Sequence, residues 1–548
     1  LIILHDSLSS DLSHIQAVAN MAEGFGLFDY VRITQRDGLE WIGQIVQPNL
    51  NISIIGERLN STVLHGLQLA QSHANIQTVE SVQVFDLLLL GQYDGQRLVT
   101  PRIRPLPGAQ VVKLDASHTV QVIDIPAPML HADQTTNVIG ELLNADHVPL
   151  AINEAKFNYH VAVMGGTGSG KSNVAANLVW QAAQYSKCVL IHDAKPDYGL
   201  ITRENTDPNV VSIWEQFAEY ELKPRPMPDV VRIGFYGKCR PETVDRIVGF
   251  HASDFEPEIL ASLFFSEVGE QNQFEGFASA ALSLRRRNED LGTGYPSYAV
   301  ADILAEVEAR SNPHGTLPAS EIIHELTARA ILRKVRTRGA AMTWLDAVGT
   351  SLGLGSTNRL QRSRLNVAEQ VVEVFDLAGY VRPGRVIIID YAEMDEQAYA
   401  LILSYFLRAC QDYCRTRQGV GLVELVDEAH RVFDNDSRHS STLGRAAERV
   451  MREGRSVDHS IILSLQNASQ IPPRVMNNLN SKIVMRQNSR FEAEVATQTL
   501  GREFAAQAMR LGTGQALVSL HEARAAVLAQ MAPAPFELQR TDNTSPKR

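Results

Sequence analysis

The stretch His160-Val161-Ala162-Val163-Met164-Gly165-Gly166-Thr167-Gly168-Ser169-Gly170-Lys171-Ser172 decides how the chain is read. Its first five residues are largely apolar and read as a buried strand. The next eight fit G-x-x-x-x-G-K-[ST], and Asn173–Gln184 reads as a helix. Each part has a physical task. Glycines let the backbone curl so that successive N–H groups point at phosphate oxygens. Lys171 offers a point charge to the β and γ phosphates of ATP, and Ser172 a hydroxyl to Mg2+. The helix starting near Lys171 adds the positive end of its dipole. A Gly/Ser-rich turn can match the pattern by chance, but a strand before it and a helix after it argue against chance. The expected nucleotide contacts are Gly165, Gly166, Thr167, Gly168, Ser169, Gly170, Lys171, Ser172 and Asn173.

Moving outward, four more apolar runs come later in the chain: Cys188–Ile191, Arg385–Ile389, Leu422–Val426 and Ile461–Leu465. They alternate with helical segments, which predicts a parallel α/β sheet covered on both faces. Leu422–Val426 runs into Asp427-Glu428, the pattern of a Walker B site. Asp427 is expected to hold Mg2+ through water, and Glu428 to polarise the water that attacks the γ-phosphate. The plainer reading is a surface acidic pair at a strand end. A carboxylate directly after Asp427 argues for hydrolysis and not binding alone; switch GTPases use a Gln for that task. Asp193 also ends a strand and is expected near the phosphates, because ligands sit outside the carboxyl ends of open sheets. Asp390 serves equally well as a cap for the helix after it. Gln466 suits a sensor of the γ-phosphate or the attacking water, and suits almost as well a satisfied polar residue. Arg452-Glu453-Gly454-Arg455 presents two arginines on one helix face; by themselves they read as a solvated salt-bridge face.

The chain has 548 residues, 44% hydrophobic and 21% charged, which excludes global disorder and suggests three or four structural units. A net charge of −11 excludes a protein that holds nucleic acid by overall charge, but leaves room for a local basic channel. Four cysteines, Cys188, Cys239, Cys410 and Cys414, form neither a disulfide framework nor a zinc ribbon, so a reducing cytoplasm is expected. Cys410 and Cys414 read as small buried apolar residues. No apolar run approaches the roughly 18 residues of a membrane span, so no membrane partner is expected. No signal peptide is recognisable, and the chain opens at Leu1 without an initiator Met.

Residues 1–125 read as a small β-barrel or sandwich, with strands at Tyr30–Thr34, Trp41–Val46 and Val82–Leu90 and Asp37-Gly38 and Asp94-Gly95 as turns. Pro126–Asn144 reads as a connector. Residues 126–241 and 343–531 form the α/β core, interrupted at 242–342 by an all-helical insertion in which strand signals vanish. The tail, 532–548, is expected to be extended or mobile. The insertion holds the basic clusters Arg285-Arg286-Arg287 and Arg329, Arg333, Lys334, Arg336, Arg338. These fit DNA phosphates, but more often such runs are solvated helix faces paired with acids such as Glu289, Asp290 and Glu325.

The order Gly165–Ser172, Val386–Asp390, Leu425–His430, Arg452–Arg455, Ser464–Gln466 and Gly512-Thr513-Gly514-Gln515-Ala516 resembles the HerA branch of the HerA/FtsK hexameric ATPases. Tyr30–Val46 and Pro105–Val111 look like the small β-barrel shared by HerA and the ATP-synthase catalytic subunits. The resemblance covers most of the chain and implies a RecA-like P-loop ATPase core. It also implies a homohexamer that binds ATP and Mg2+ at subunit interfaces and moves double-stranded DNA through its centre. Arg452 or Arg455 would then be a finger donated to the neighbouring subunit. Many relatives carry two glutamates where this chain has Asp427-Glu428, a swap that keeps both charges. The resemblance further implies an effector partner, a nuclease or a sirtuin-like NAD-consuming enzyme, in DNA-end processing or defence against phage. Two other readings stand beside it. One is a nucleotide-gated ring scaffold for a partner enzyme. The other is a conjugation or secretion ATPase, disfavoured by the barrel and the lack of membrane segments.

Overall fold

The computed structural model describes residues 2–3, 14–20, 24–52, 82–95, 97–123, 125–131, 135–145, 147–290, 297–312, 318, 321–347, 372–416, 419–433, 438–501, 504–521, 523 and 525–539. Seven strands make the N-terminal unit: β1 (Ile2–Ile3), β2 (His14–Asn20), β3 (Tyr30–Thr34), β4 (Glu40–Ile52), β5 (Val82–Tyr93), β6 (Leu98–Val99) and β7 (Gln110–Lys113). All pair antiparallel in the order β2-β1-β7-β3-β4-β5-β6, and a further β2–β5 ladder brings the sheet back on itself. The side-chain period of two explains its two-sided burial. Val31, Ile33, Trp41, Ile45, Phe85, Leu87 and Leu89 fill the interior. Tyr30, Ile42, Leu88 and Leu90 face the other way, onto the cores of the larger unit. The uninterrupted Leu87–Leu90 run is thus a barrel strand covered on both faces. A buried hydrogen bond from Gln44 Nε2 to the Ala526 carbonyl (3.0 Å) joins the two units.

The larger unit is a thirteen-stranded sheet. Its strands are β8 (Val138–Leu142), β9 (Pro149–Ala151), β10 (Val161–Met164), β11 (Cys188–Asp193), β12 (Val230–Phe235), β13 (Arg246–Gly249), β14 (Glu373–Val374), β15 (Val386–Asp390), β16 (Leu422–Val426), β17 (His459–Leu465), β18 (Ser481–Met485), β19 (Gln515–Ser519) and β20 (Val527–Met531). The order is β14-β13-β12-β15-β11-β16-β17-β10-β18-β19-β20-β8-β9; pairing is parallel from β14 to β18 and antiparallel beyond. The consequence for function lies in the middle. β11, β16, β17 and β10 are neighbours in register (Ile191 beside Leu425, Leu425 beside Ile462, Ala162 beside Leu463), so the residues just past their C-terminal ends are set side by side. The fold class is α/β with a mostly parallel P-loop-type sheet and an antiparallel N-terminal barrel sheet.

Two sequence expectations need correction, and a third gains a detail. The stretch 242–342 is not all-helical: β13 lies within it, hydrogen-bonded to β12, and helices take over only with Pro257–Phe264, Gln271–Asp290, Val300–Ser311 and Glu325–Gly339. A four-residue strand that opens on the charged Arg246 leaves too short an apolar run to show in sequence. The Pro126–Asn144 connector contains β8, which pairs with β9 and β20. The tail is extended but packed as far as it is described. Ala532, Ala534 and Phe536 are buried, Asn177 Nδ2 bonds the Ala532 carbonyl, and Gln539 N–H reaches the Asp197 carbonyl. The four insertion helices bury Phe264, Phe277, Ile303, Val307, Ile331 and Val335 against the main sheet's core, each worth roughly 1.5–3 kcal/mol of burial. Among the described residues no helix is long and apolar enough to cross a membrane.

Candidate nucleotide site

The loop after β10 is pinned on both sides by backbone bonds, Gly165 N–H to the Leu465 carbonyl (3.0 Å) and Gly166 N–H to the Arg486 carbonyl (2.8 Å). Gly168 and Gly170 adopt φ of +75° and +100°, conformations that a side chain strains. A Cβ on Gly166 would lie 2.3 Å from Asn488 Oδ1, so the Asn488 side chain would have to move to admit one. The Gly512–Ala516 segment backs onto the loop, with Gly514 N–H donating to the Ser169 carbonyl (2.9 Å). Helix Lys171–Gln184 then begins with no side chain capping it at Gly170, which leaves its first N–H groups for an anion. Ser172 is half-buried at that start. Asn173 instead turns its Oδ1 to the Ala534 N–H (3.4 Å) and holds the tail.

The acids arrive from the neighbouring strands. Asp427 is buried, and neither of its carboxylate oxygens has a hydrogen-bond partner among the described residues. Asp193, also buried, accepts only the Tyr198 N–H at Oδ2 (3.2 Å), with Oδ1 left bare. Burial, then the charge of Asp427, pushes the Asp193 carboxyl well above its ordinary range. Two buried acids with three bare oxygens form the hard-oxygen set that suits Mg2+, so these residues fit the ion. Glu428 is the opposite case. Its Oε1 takes Gln466 Nε2 (2.7 Å), Lys195 Nζ (3.1 Å) and Lys171 Nζ (3.3 Å). Its Oε2 faces His430 Nε2 (3.4 Å). Burial pushes its carboxyl up, but Lys171 and Lys195 outweigh that and hold it below the ordinary glutamate range. Its backbone sits at φ +50°, a left-handed conformation worth roughly 1–3 kcal/mol of strain for such a residue and typical of sites where geometry is imposed.

The fold therefore brings Lys171, Glu428 and Gln466 together, with Asp427 and Asp193 on the adjoining strands. Sequence reasoning missed Lys195, and assigned no role to His430 or Ser464 although both lie in the quoted motif stretches; Ser464 Oγ is 3.3 Å from Lys171 Nζ. Ser464 lies inside β17 and Lys195 in the loop after Asp193, so only strand adjacency could have revealed them. Asp390 does not cap the following helix: it accepts the Ala392 N–H (2.9 Å) in the turn after β15, and Asp395 caps the helix Glu396–Thr416 by accepting the Ala398 N–H (2.9 Å). Arg452 is 70% exposed and paired with Glu448 at 3.7 Å. Arg455 lies over the Tyr159 ring at 4.3 Å. Arg455 precedes the start of β17 and Tyr159 the start of β10, whereas the glycine loop follows the end of β10. A four-residue strand at about 3.3 Å per residue puts roughly 13 Å between these levels. Arg455 is thus remote from its own chain's phosphate loop. The basic clusters of the insertion are largely neutralised: Arg285 pairs with Glu256, Arg287 with Glu306, Arg329 with Glu325, Lys334 with Glu270 and Arg336 with Glu308. Cys410 and Cys414 are buried as expected, but Cys410 Sγ lies close to Glu424 and His459, neighbours that sequence spacing did not show.

A glycine loop, two strand-end acids and a strand-end Gln gathered at the C-terminal ends of four neighbouring parallel strands are the frame for the comparison with known families. The family model described as the central domain of helicase HerA matches residues 137–410, half of the chain. The chain belongs to the HerA helicase family. It is a P-loop ATPase of that family. The match includes the glycine loop, Asp193 and the insertion, and stops before Asp427. "DNA double-strand break repair helicase HerA" of Pyrococcus furiosus is 22% identical, over 92% of this chain and 86% of its own. "Probable DNA double-strand break repair helicase HerA" of Methanocaldococcus jannaschii is 20% identical, over 79% and 82%. Among solved structures, plasmid coupling protein TrwB in complex with a non-hydrolysable GTP analogue aligns over 79% of this chain and 95% of its own, with a TM-score of 0.46 and 14% identity.

Proposed function

We propose that this HerA-family chain is an ATP-driven double-stranded DNA translocase or helicase. The observation that carries the ATPase chemistry is the meeting of Lys171, Glu428 and Gln466 beside the bare oxygens of Asp427. In this reading the glycine loop and Lys171 bind the ATP phosphates. Ser172 and Asp427 hold Mg2+, with Asp193 behind them. When bound, the ion neutralises charge developing on the phosphoryl oxygens. Glu428 orients the attacking water and takes its proton, and Gln466 holds the Glu428 carboxylate while reading the γ-phosphate end of the site.

The finer reading rests on the family resemblance. It is a homohexamer in the cytoplasm, with Arg452 or Arg455 donated across the subunit interface and an effector partner, a nuclease or a sirtuin-like NAD-consuming enzyme. The setting would be DNA-end processing or phage defence. Remoteness of Arg455 from its own loop supports a role in trans, while the Arg452–Glu448 pair supports the plainer salt-bridge face. The test is ATP hydrolysis with and without linear double-stranded DNA at low and moderate salt. Stimulation that fades with salt is expected of a motor contacting phosphates. Turnover indifferent to DNA would favour the second reading, a nucleotide-gated scaffold for a partner enzyme. One observation favours that alternative: the insertion's basic side chains already hold acids.

A further inference from the structure

Three donors crowd one oxygen. Glu428 Oε1 receives Gln466 Nε2 at 2.7 Å, Lys195 Nζ at 3.1 Å and Lys171 Nζ at 3.3 Å. A carboxylate oxygen offers about two lone-pair directions, so one donor is in excess. Lys171 is the one with another destination, since it opens the helix behind the glycine loop and sits over the phosphate cradle. Once its charge moves to the phosphates, two donors remain for two lone pairs. Lys195 is well placed to stay. It lies two residues beyond Asp193 at the end of β11, and β11 and β16 are hydrogen-bonded neighbours, so the sheet itself sets its loop beside Glu428. Among the described residues Glu428 is the one acid with which Lys195 forms an ion pair.

We propose that Lys195 is a positioning residue for ATP hydrolysis. It keeps the Glu428 carboxylate aimed at the attacking water after Lys171 has been drawn onto the nucleotide. The proposal rests on Glu428 being the hydrolytic carboxylate. Lys195 acts through Glu428, so its loss should lower turnover without weakening ATP binding. A lysine that contacts the γ-phosphate directly would instead alter affinity.

The experiment measures kcat and KM for ATP, with equilibrium binding of a fluorescent ATP analogue, in Lys195→Met, Lys195→Arg, Glu428→Gln and Lys171→Ala. Lys195→Met is expected to lower kcat about 10- to 100-fold, the scale of a misplaced catalytic group, with KM and binding within about twofold of the parent. Lys195→Arg, which keeps the charge, should recover part of the loss. Intact analogue binding shows that Lys195→Met has folded, so a kcat loss then reflects the site. Unchanged kcat in Lys195→Met overturns the proposal, as does a loss of ATP affinity that accounts for the whole effect. Turnover that survives Glu428→Gln would instead remove the catalytic reading on which the proposal stands. ATP hydrolysis left unchanged by Lys171→Ala would remove the loop assignment.

Discussion

The nucleotide site and the helical insertion handle charge in opposite ways. At the site, Asp427 and Asp193 are buried with bare carboxylate oxygens, an arrangement that costs free energy in the free protein. In the insertion, Arg329, Arg336 and their acids lie in water and pair along or between helices. The first pattern needs a ligand to explain it; the second needs none. Buried charge without a partner is therefore the better guide to function here, although the insertion has the denser clusters of charge in sequence. A third arrangement calibrates the comparison. Glu424 is as buried as Asp427, but its two oxygens accept His192 Nε2 (2.8 Å) and His459 Nε2 (2.7 Å). Burial pushes its carboxyl up, yet those bonds prevail and hold it at about 2. By the test that marks Asp427 as functional the Glu424 carboxylate is structural, since both its oxygens are satisfied, although His459 Nδ1 has no partner among the described residues.

Substitutions can break this contrast. The largest effect is expected from Asp427→Asn, which should cut Mg2+-dependent ATP turnover by roughly 10^2- to 10^4-fold. The same change should raise the melting temperature of the nucleotide-free protein, because it removes a buried charge facing Asp193. A fall in melting temperature would mean that Asp427 has a structural partner after all. Next comes Glu424→Ala, which strands two buried imidazoles and should cost about 3–5 kcal/mol in denaturant unfolding. A change below about 1 kcal/mol would show that the network is not structural and would reopen the Cys410, Glu424 and His459 cluster to another role.

A third effect tests burial through pH. His160 accepts the Ile461 N–H at Nδ1 (3.1 Å) and donates from Nε2 to the Met451 carbonyl (3.0 Å), so its ring is held neutral. Burial lowers its pKa to about 4 from the ordinary 6.5. The folded-state value is depressed, so the unfolded chain takes up the proton first. Stability is full above pH 6.5 and declines as pH falls toward 4, by about 3 kcal/mol in all. Melting temperature measured from pH 8 to 5 checks this, and His160→Asn should flatten the slope. The smallest effect belongs to the exposed pairs. Arg329→Ala and Arg336→Ala should each change stability by less than about 1 kcal/mol and leave ATP turnover as it was. If they abolished stimulation by DNA, the insertion would be a nucleic-acid surface and the contrast would fail there.

Sequence by itself determined the parts whose chemistry is local. Gly165–Ser172 needs glycine at Gly168 and Gly170, because their positive φ strains any side chain. Leu422–Val426 ending in Asp427-Glu428, and the apolar runs of β10, β11, β15 and β17, were legible because strands covered on both faces need uninterrupted apolar residues. Tertiary structure decided the features that depend on neighbours. Strand order set Gln466 and Lys195 around Glu428, although they lie 38 residues away on one side and on the far side of the insertion on the other. It also separated charges that look alike in sequence, leaving Asp427 bare, enclosing Glu424 between two histidines and spreading Arg329 into solvent beside Glu325. Short β13 and the packed tail were hidden for the same reason, since their burial comes from remote partners and not from a pattern of their own. The residue type supplies the charge, but the fold alone sets the dielectric around it and the groups that answer it.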